Sequence, residues 1–292
     1  MGRRHFLLRK IAALALAMTL SPVLATTVGP PPAQRNDGGI SLTPVEQLNQ
    51  DGGGPTVIGG QPAVTSQWPA SFYSAAKSGR CTATLVGPRA LLLAAHCVGD
   101  GQPATIKLSG GPISGTCTRS PEYLGDASAD YALCFMVKPI SELGLTFETI
   151  NTDPTIIKRQ APITLTGYGC TATDDTGGND GIFRIASTTI FALPGDPASE
   201  RDTILIQDSI AICPGDSGGG AYVYQTPERR LLVSVNSRSW TTWNYSYLSS
   251  LSTKDGIDFL HAWISKSGGS GPNADDDARL ICGVNYNGND CR

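Results

Sequence analysis

From Val57 onwards, short apolar stretches alternate with glycine, proline, asparagine and aspartate. Apolar runs of this kind, bounded by turn-forming residues, are typical of β-strands. We predict strands at residues 70–76, 81–86, 90–94, 104–108, 132–137, 163–166, 183–191, 204–206, 220–224 and 231–236. Many short strands at close spacing predict an all-β sandwich or barrel.

Near the end of the chain, the apolar residues at 255–267 recur with the spacing of an amphipathic helix. The side chains on or near one face of this helix are Ile257, Leu260, His261 and Ile264, with Phe259 and Trp263 alongside. Asp255 is a candidate N-cap, because a short carboxylate can accept hydrogen bonds from first-turn amides. Residues 268–292 are predicted to form a glycine-rich linker and a short tail.

The first 56 residues lack both patterns. Residues 1–25 predict a secretory signal peptide, because basic residues precede a short apolar run and small residues follow it. The run is too short for a membrane anchor, which needs about 20 apolar residues. Residues 26–56 are rich in proline and glycine, and we expect a flexible propeptide there, with a plain disordered linker as the alternative.

Composition excludes several classes of function. The chain has 292 residues and a formal net charge of −3, and loss of the signal would make this charge more negative, because its charged residues are all basic. We therefore expect no nucleic-acid partner, since such binding needs a basic face, and no membrane span. We also expect no cofactor and no metal, because the acidic positions at 174–175, 179–180 and 275–277 lack the ligand spacing of a calcium loop.

The chain has 8 cysteines. An even number in an exported protein predicts disulfides, whose connectivity the sequence alone leaves open. Metal ligation is the alternative, but the spacings are not those of a zinc site.

The stretch Cys-Pro-Gly-Asp-Ser-Gly-Gly-Gly at 213–220 is a candidate for nucleophilic catalysis. The hydroxyl of Ser217 needs a base to take its proton and N–H groups to stabilise an oxyanion. A glycine-rich turn alone explains the stretch equally well. However, His96 and Asp130 precede it and supply a base and an acid, and the only other histidines of the chain are His5 and His261.

With Val-Ile-Gly-Gly at 57–60, these motifs make the chain resemble the chymotrypsin/trypsin family of serine endopeptidases. The resemblance implies two antiparallel β-barrels, at about 57–150 and 151–254, with the active site between them. The helix at 255–267 resembles the terminal helix of the family and would complete a peptidase domain at 57–267, followed by the tail at 268–292.

The resemblance also implies a role for each motif residue. Ser217 would attack the substrate carbonyl, His96 would accept its proton, and Asp130 would hold and stabilise the imidazole. The backbone amides of Gly215 and Ser217 would form the oxyanion hole. Cleavage before Val57 would free an amino group that pairs with Asp216 and activates a zymogen.

Two positions depart from the family pattern. The residue before Val57 is Thr56 rather than Arg or Lys, so the activating protease stays open. Ala211 stands where trypsin-like members have the acid that binds a basic side chain, so we expect a preference for uncharged residues. Ser237, Arg238 and Ser239 should form a wall of this pocket. Arg238 either favours acidic substrates or is a solvent-facing charge.

For the cysteines, the resemblance implies Cys81–Cys97, which ties the histidine loop to the preceding strand. By proximity and elimination we expect three further pairs: Cys117–Cys134, Cys170–Cys213 and Cys282–Cys291.

These features predict a secreted, monomeric endopeptidase, extracellular or periplasmic, whose partners are protein or peptide substrates and an activating protease. One alternative is a catalytically inactive relative that acts as a binding module. Another is an esterase of the α/β-hydrolase class, but that fold needs its acid and histidine after the serine, where only His261 is available.

Overall fold

The structure is a computed structural model that describes residues 39–44, 57–76, 79–140, 145–170, 181–266 and 278–292. The predicted signal peptide, most of the predicted propeptide, and the acidic positions at 174–175, 179–180 and 275–277 lie outside these residues. No helix in the described part of the chain has the length and apolar character needed to cross a membrane.

Strands account for nearly all regular structure in the first half. They are β1 (Ile40–Pro44), β2 (Gln61–Pro62), β3 (Ser71–Ala76), β4 (Gly79–Gly87), β5 (Ala90–Leu93), β6 (Pro103–Ile106), β7 (Ile113–Arg119) and β8 (Ala132–Met136). Except for β2, these strands form a closed barrel in the order β1-β3-β4-β5-β8-β7-β6.

The second half contains β9 (Pro162–Gly167), β10 (Arg184–Thr189), β11 (Thr203–Gln207), β12 (Gly220–Thr226), β13 (Arg229–Trp240) and β14 (Tyr245–Ser250). Together with β2 they form an antiparallel seven-stranded sheet in the order β11-β14-β13-β12-β9-β10-β2. The helix α1 (Lys254–Ser265) follows. The predicted fold class is confirmed: the chain is mostly β, with two β-halves and a C-terminal helix.

The strand β1 was not expected, because it lies in the segment predicted to be a flexible propeptide. It pairs antiparallel with β3 and parallel with β6, and so closes the barrel. The Leu42 side chain is 0% exposed, and its carbonyl oxygen accepts a hydrogen bond from the amide of Lys107 at 2.7 Å. Local proline and glycine content therefore hid a strand that is stabilised by neighbours distant in the chain.

One apolar cluster runs through both halves and fixes the junction between them. Trp68, just before β3, packs on Phe183 and Tyr222 of the second half, with ring centroids 5.8 and 5.2 Å away. The guanidinium of Arg230 lies 3.6 Å from the Trp68 ring centroid and forms a buried ion pair with Glu148. A buried charge is tolerated here because it is paired and stacked on aromatic rings.

The helix α1 differs from the predicted helix in its cap and its buried face. Its N-cap is Thr253, whose hydroxyl accepts a hydrogen bond from the Gly256 amide at 3.3 Å, rather than Asp255. Asp255 instead forms an ion pair with Arg201 at 2.6 Å. The buried residues are Gly256, Phe259, Leu260 and Trp263, so the buried face is centred on the Phe259 and Trp263 side, and His261, which was predicted on the face, is exposed.

The described part of the tail packs against the first half. The amide of Cys282 donates to the carbonyl of Val86 at 2.8 Å, and the Cys282 carbonyl accepts from Ile150 at 2.9 Å. The side chains of Ile281 and Cys282 are buried. Residues 278–292 are therefore part of the folded body.

Candidate active site

His96 lies in a single 3₁₀ turn, Ala95–Cys97, directly after β5. The disulfide Cys81–Cys97 ties this turn to β4. The imidazole Nδ1 lies 2.6 Å from the Asp130 carboxylate, and the backbone amide of His96 donates to the other oxygen of the same carboxylate at 2.9 Å. The imidazole is 29% exposed, so it contacts the acid on one side and reaches solvent elsewhere.

Asp130 is 2% exposed and lies just before β8, between the buried residues Ala129 and Tyr131. Its Oδ2 also accepts a hydrogen bond from the Ser237 hydroxyl at 2.6 Å. Burial would raise the pKa of this carboxyl, but the charge and hydrogen bonds of His96, with the Ser237 bond, hold it below its ordinary value. Burial likewise would lower the pKa of His96, yet Asp130 raises it above its ordinary value.

Ser217 lies in the tight turn before β12, at the junction of the two halves. Its carbonyl oxygen accepts from the Thr82 amide of β4 at 2.7 Å, and its hydroxyl donates to the Ser237 carbonyl at 3.4 Å. The next residue, Gly218, has φ +84°, and a Cβ there would lie 2.1 Å from the Thr82 carbonyl oxygen. The close approach of the turn to the first barrel therefore requires glycine.

Ser237 contacts two of the three predicted catalytic residues, Asp130 and Ser217, and His96 contacts Asp130; within the described residues, no hydrogen bond joins the His96 imidazole to the Ser217 hydroxyl. Ser237 binds Asp130 through its hydroxyl and Ser217 through its carbonyl. Cys97, next to His96, has its Sγ 3.8 Å from the Ser217 carbonyl oxygen. We had assigned Ser237 only to a pocket wall, and its bond to Asp130 could not be inferred from the sequence, because the two residues are 107 positions apart.

In the described part of the chain, two amides of the turn at Ser217 have no acceptor. Gly215 has φ +108°, and a Cβ at this position would lie 2.7 Å from the Gly169 Cα. Within the described residues, the amides of Gly215 and Ser217 donate no hydrogen bond, whereas Asp216 donates to Cys213 at 2.9 Å and Gly219 donates to Asp216 at 2.9 Å. The turn therefore has two N–H groups available to bind an oxygen.

Asp216 is fully buried and differs from Asp130 in its partners. Its carboxylate accepts hydrogen bonds from the amides of Gly169 at 2.8 Å and Cys213 at 2.9 Å. Across the part of the chain that the structure describes, it forms no ion pair within 4 Å. Burial raises the pKa of Asp216 to about 7, although the two amides and the charge of Arg184 act in the opposite direction.

Val57, the predicted partner of Asp216, is also buried. The following residue, Ile58, pairs with Ala211 through two backbone hydrogen bonds, of 3.0 and 3.4 Å. This pairing brings the predicted cleavage point to the segment that leads to Ser217.

The predicted pocket residues occupy the end of β13 and the segment opposite it. Ala211 and Ser237 are buried, while Arg238 and Ser239 are partly exposed. Arg238 matches neither expectation fully, since its guanidinium forms an ion pair with Glu200 and donates to the Ala127 carbonyl at 2.9 Å. It also lies 4.8 Å from the Tyr247 ring centroid.

The structure pairs the cysteines as Cys81–Cys97, Cys117–Cys134, Cys170–Cys213 and Cys282–Cys291, the same pairs that we expected. Cys81, His96 and Cys97 lie within metal-binding distance of one another. Both sulfurs belong to the same disulfide and carry no thiolate, so these residues do not form a ligand set.

Three comparisons with known proteins bear on the fold and the family of this chain. No curated protein matches the sequence significantly. A solved structure of a Glu endopeptidase in complex with MPD matches with a TM-score of 0.55 at 15% sequence identity, covering 72% of this chain and 100% of that chain. This likeness shows a shared fold. A family model described as Trypsin matches residues 57–245. The chain therefore belongs to the trypsin family of serine proteases.

Proposed function

We propose that this protein is a secreted serine endopeptidase that hydrolyses peptide bonds through Ser217, His96 and Asp130. The observation that carries the proposal is the placement of the three residues about Ser237: the His96 imidazole contacts Asp130, the Ser237 hydroxyl donates to Asp130, and the Ser217 hydroxyl donates to the Ser237 carbonyl. The four disulfides support export to an oxidising compartment, outside the cell or in the periplasm.

In the proposed mechanism, the Ser217 hydroxyl attacks the substrate carbonyl while His96 accepts its proton. Asp130 accepts the Nδ1–H, which fixes the imidazole tautomer and stabilises the imidazolium that forms. The amides of Gly215 and Ser217 donate to the developing oxyanion, and each such donor typically contributes about 3 kcal/mol to transition-state stabilisation. The imidazolium then protonates the leaving amine, and water hydrolyses the acyl-enzyme.

Activation by cleavage before Val57 is part of the proposal. Among the described residues, the buried Asp216 carboxylate accepts hydrogen bonds from two backbone amides, and its pKa is near 7, so a new ammonium at Val57 would find an acceptor that gains from a positive charge. The protease that cuts after Thr56 is a further partner. Sequencing the N-terminus of the active, secreted protein should give Val57, and an active protein that starts well upstream would contradict this activation step.

For specificity, we propose a preference for uncharged side chains. Ala211 brings no charge to the pocket, so a basic substrate residue would be buried without a partner. Arg238 does not offer a free cation to an acidic substrate, because Glu200 already pairs with it. A peptide-library profile with strong cleavage after Arg or Lys would contradict this preference.

A fluorophosphonate probe tests the enzyme against the alternative of an inactive binding module. The processed protein should bind one probe molecule covalently, and Ser217→Ala should bind none, because the probe reacts only with an activated serine. Ser265→Ala is the matched control, since it removes an exposed serine hydroxyl at the end of α1 and should leave labelling intact. Equal labelling of the wild type and Ser217→Ala, or none of either, would contradict the proposed function.

A further inference from the structure

A guanidinium lies directly behind the hydroxyl that binds the Asp130 carboxylate. Arg238 Nη1 is 3.3 Å from the Ser237 Oγ, and that Oγ is 2.6 Å from Asp130 Oδ2. Asp130 Oδ2 is in turn 2.6 Å from His96 Nδ1. The arrangement places a positive charge three hydrogen bonds away from the imidazole.

The donor and acceptor of each hydrogen bond in this arrangement follow from the chemistry of the groups. A guanidinium has N–H groups and no acceptor, so the Ser237 oxygen must accept from Arg238. The single proton of the Ser237 hydroxyl is then left to point at Asp130. Asp130 Oδ2 consequently receives two donors, one from Ser237 and one from His96, and its position relative to the imidazole is defined from both sides.

Several elements hold the guanidinium in place. The register of β13 shifts between Asn236 and Arg238, and such a bulge re-aims the side chains next to it. Glu200, from the loop before β11, pairs with Nη2, and the Ala127 carbonyl accepts from Nη1 at 2.9 Å. The Arg238 side chain is 23% exposed, so it is anchored in the wall rather than extended into solvent.

We propose that Arg238, acting through Ser237, is a positioning residue for the Asp130–His96 pair and that Glu200 holds it in that place. The inference rests on the proposed function, because positioning matters for catalysis only if this pair serves Ser217. Arg238 touches no reacting atom in this role. Its effect is to keep the Asp130 carboxylate ionised and aligned with Nδ1.

The charged groups that act on His96 make the proposal testable by pH. Asp130 raises the pKa of the imidazole, whereas Arg238 on β13 and Arg119 at the end of β7 lower it. Arg119 stacks on Tyr123, with its guanidinium 4.5 Å from the ring centroid, and contacts neither Ser237 nor Asp130 in the described structure. Arg119 therefore provides a cation that acts through its charge but does not orient Ser237.

The first experiment compares the processed wild type with Arg238→Met, Glu200→Gln and the control Arg119→Met, using a peptide ester over a range of pH. Active-site titration corrects for unfolded protein. Arg238→Met should lower kcat about tenfold through loss of a charge-assisted hydrogen bond, with KM within about twofold, and move the acidic limb of kcat/KM to higher pH. Arg119→Met should move the limb in the same direction without lowering kcat, and Glu200→Gln should move it to lower pH.

The second comparison asks whether Arg238 acts through Ser237. In a Ser237→Ala background, Arg238→Met should lower kcat no further, because the hydroxyl that it orients is absent. An equal loss of kcat in both backgrounds would mean that Arg238 acts independently of Ser237, and a rise in KM alone would mean that it contributes to substrate binding; either result would overturn the proposal.

An NMR titration of His96 gives a readout that does not depend on activity. The His96 resonance is assigned with a His261→Gln variant, and its pKa should rise in Arg238→Met while exchange of the Nδ1 proton becomes faster. If the wild type proves inactive but these changes occur, the proposed function fails and the positioning role stands. If neither the pKa nor the exchange rate changes, the positioning role fails, whatever the activity.

Discussion

Each half of the molecule buries one aspartate beside the candidate active site, and the two carboxylates differ in the groups that donate hydrogen bonds to them. In the first half, Asp130 receives donors from His96 and Ser237, and its pKa lies below the ordinary value. In the second half, Asp216 receives two backbone amides, and its pKa is raised to about 7. Both side chains are almost fully withdrawn from water.

The difference shows that burial alone does not decide the charge of a carboxyl. Removing a carboxylate from water is costly unless a cation or enough hydrogen bonds replace the water. Asp130 already has a cationic partner when His96 is protonated. Asp216 has none bound among the described residues, and this difference supports a zymogen in which the second half is completed only after cleavage.

The segment before Val57 contributes differently to the two halves. Its strand β1 closes the first barrel. Cleavage at the end of the segment, before Val57, would provide the Val57 ammonium that is proposed to pair with Asp216 in the second half. Processing therefore should not simply discard the segment, because β1 remains paired with β3 and β6 on both sides.

The largest expected effect is on kcat, which substitution of the two aspartates should lower by different amounts. Asp130→Asn in the processed enzyme should lower kcat by about 10⁴-fold, because an amide can favour the wrong imidazole tautomer. Asp216→Asn should lower kcat by about 10²- to 10³-fold, the effect expected for loss of an ordered oxyanion-hole donor. Steady-state kinetics on a peptide ester measure both, with Asp258→Asn on the exposed face of α1 as the control. Equal losses from the two variants would remove the distinction between the sites.

A smaller effect concerns the closure of the first barrel. Leu42→Ala should destabilise the uncut chain by about 2–5 kcal/mol, because it leaves a cavity at a fully buried position. Ser41→Ala, on the other face of β1, should change the free energy of unfolding by less than about 0.5 kcal/mol. Urea denaturation monitored by tryptophan fluorescence measures both variants. A Leu42→Ala protein as stable as the wild type would mean that β1 contributes nothing to the barrel.

The smallest expected effect is the pH dependence of the free energy of unfolding, to which the two aspartates contribute with opposite signs. The folded pKa of Asp216 is about 7 against an ordinary 3.8, so its contribution to stability is full below 3.8 and is lost as pH rises through about 7. For Asp130 the sign is opposite, because a lowered pKa gives stability above the ordinary pKa that is lost as pH falls. Between about pH 4 and 7, Asp216 should therefore make the uncut chain less stable as pH rises, on the order of a few kcal/mol in total.

Denaturation of the uncut Ser217→Ala protein at several pH values measures this slope without self-cleavage. Adding Asp216→Asn should flatten it, and cleavage before Val57 should do the same, because an ammonium partner would lower the pKa of Asp216. A slope that persists in both cases would assign it to other groups.

Some features of the fold could be predicted because they depend on local pattern. The strands with buried apolar runs, such as β5 and β8, were found near their observed limits. Others were missed, since β7 and β14 carry many polar residues and β1 lies among prolines and glycines. Such strands owe their formation to backbone hydrogen bonds with neighbours, and no short stretch of sequence reveals those neighbours.

The sequence by itself determined the candidate nucleophile turn, the histidine and acid that precede it, and the all-β character, because these depend on residue type and order along the chain. Only the tertiary structure decided that Ser237 binds Asp130, that Glu200 pairs with Arg238, and that β1 completes the first barrel. The physical reason is that charge pairing and strand closure act between residues that are close in space but far apart in the chain. Their energies depend on distance and burial, which composition and spacing do not specify.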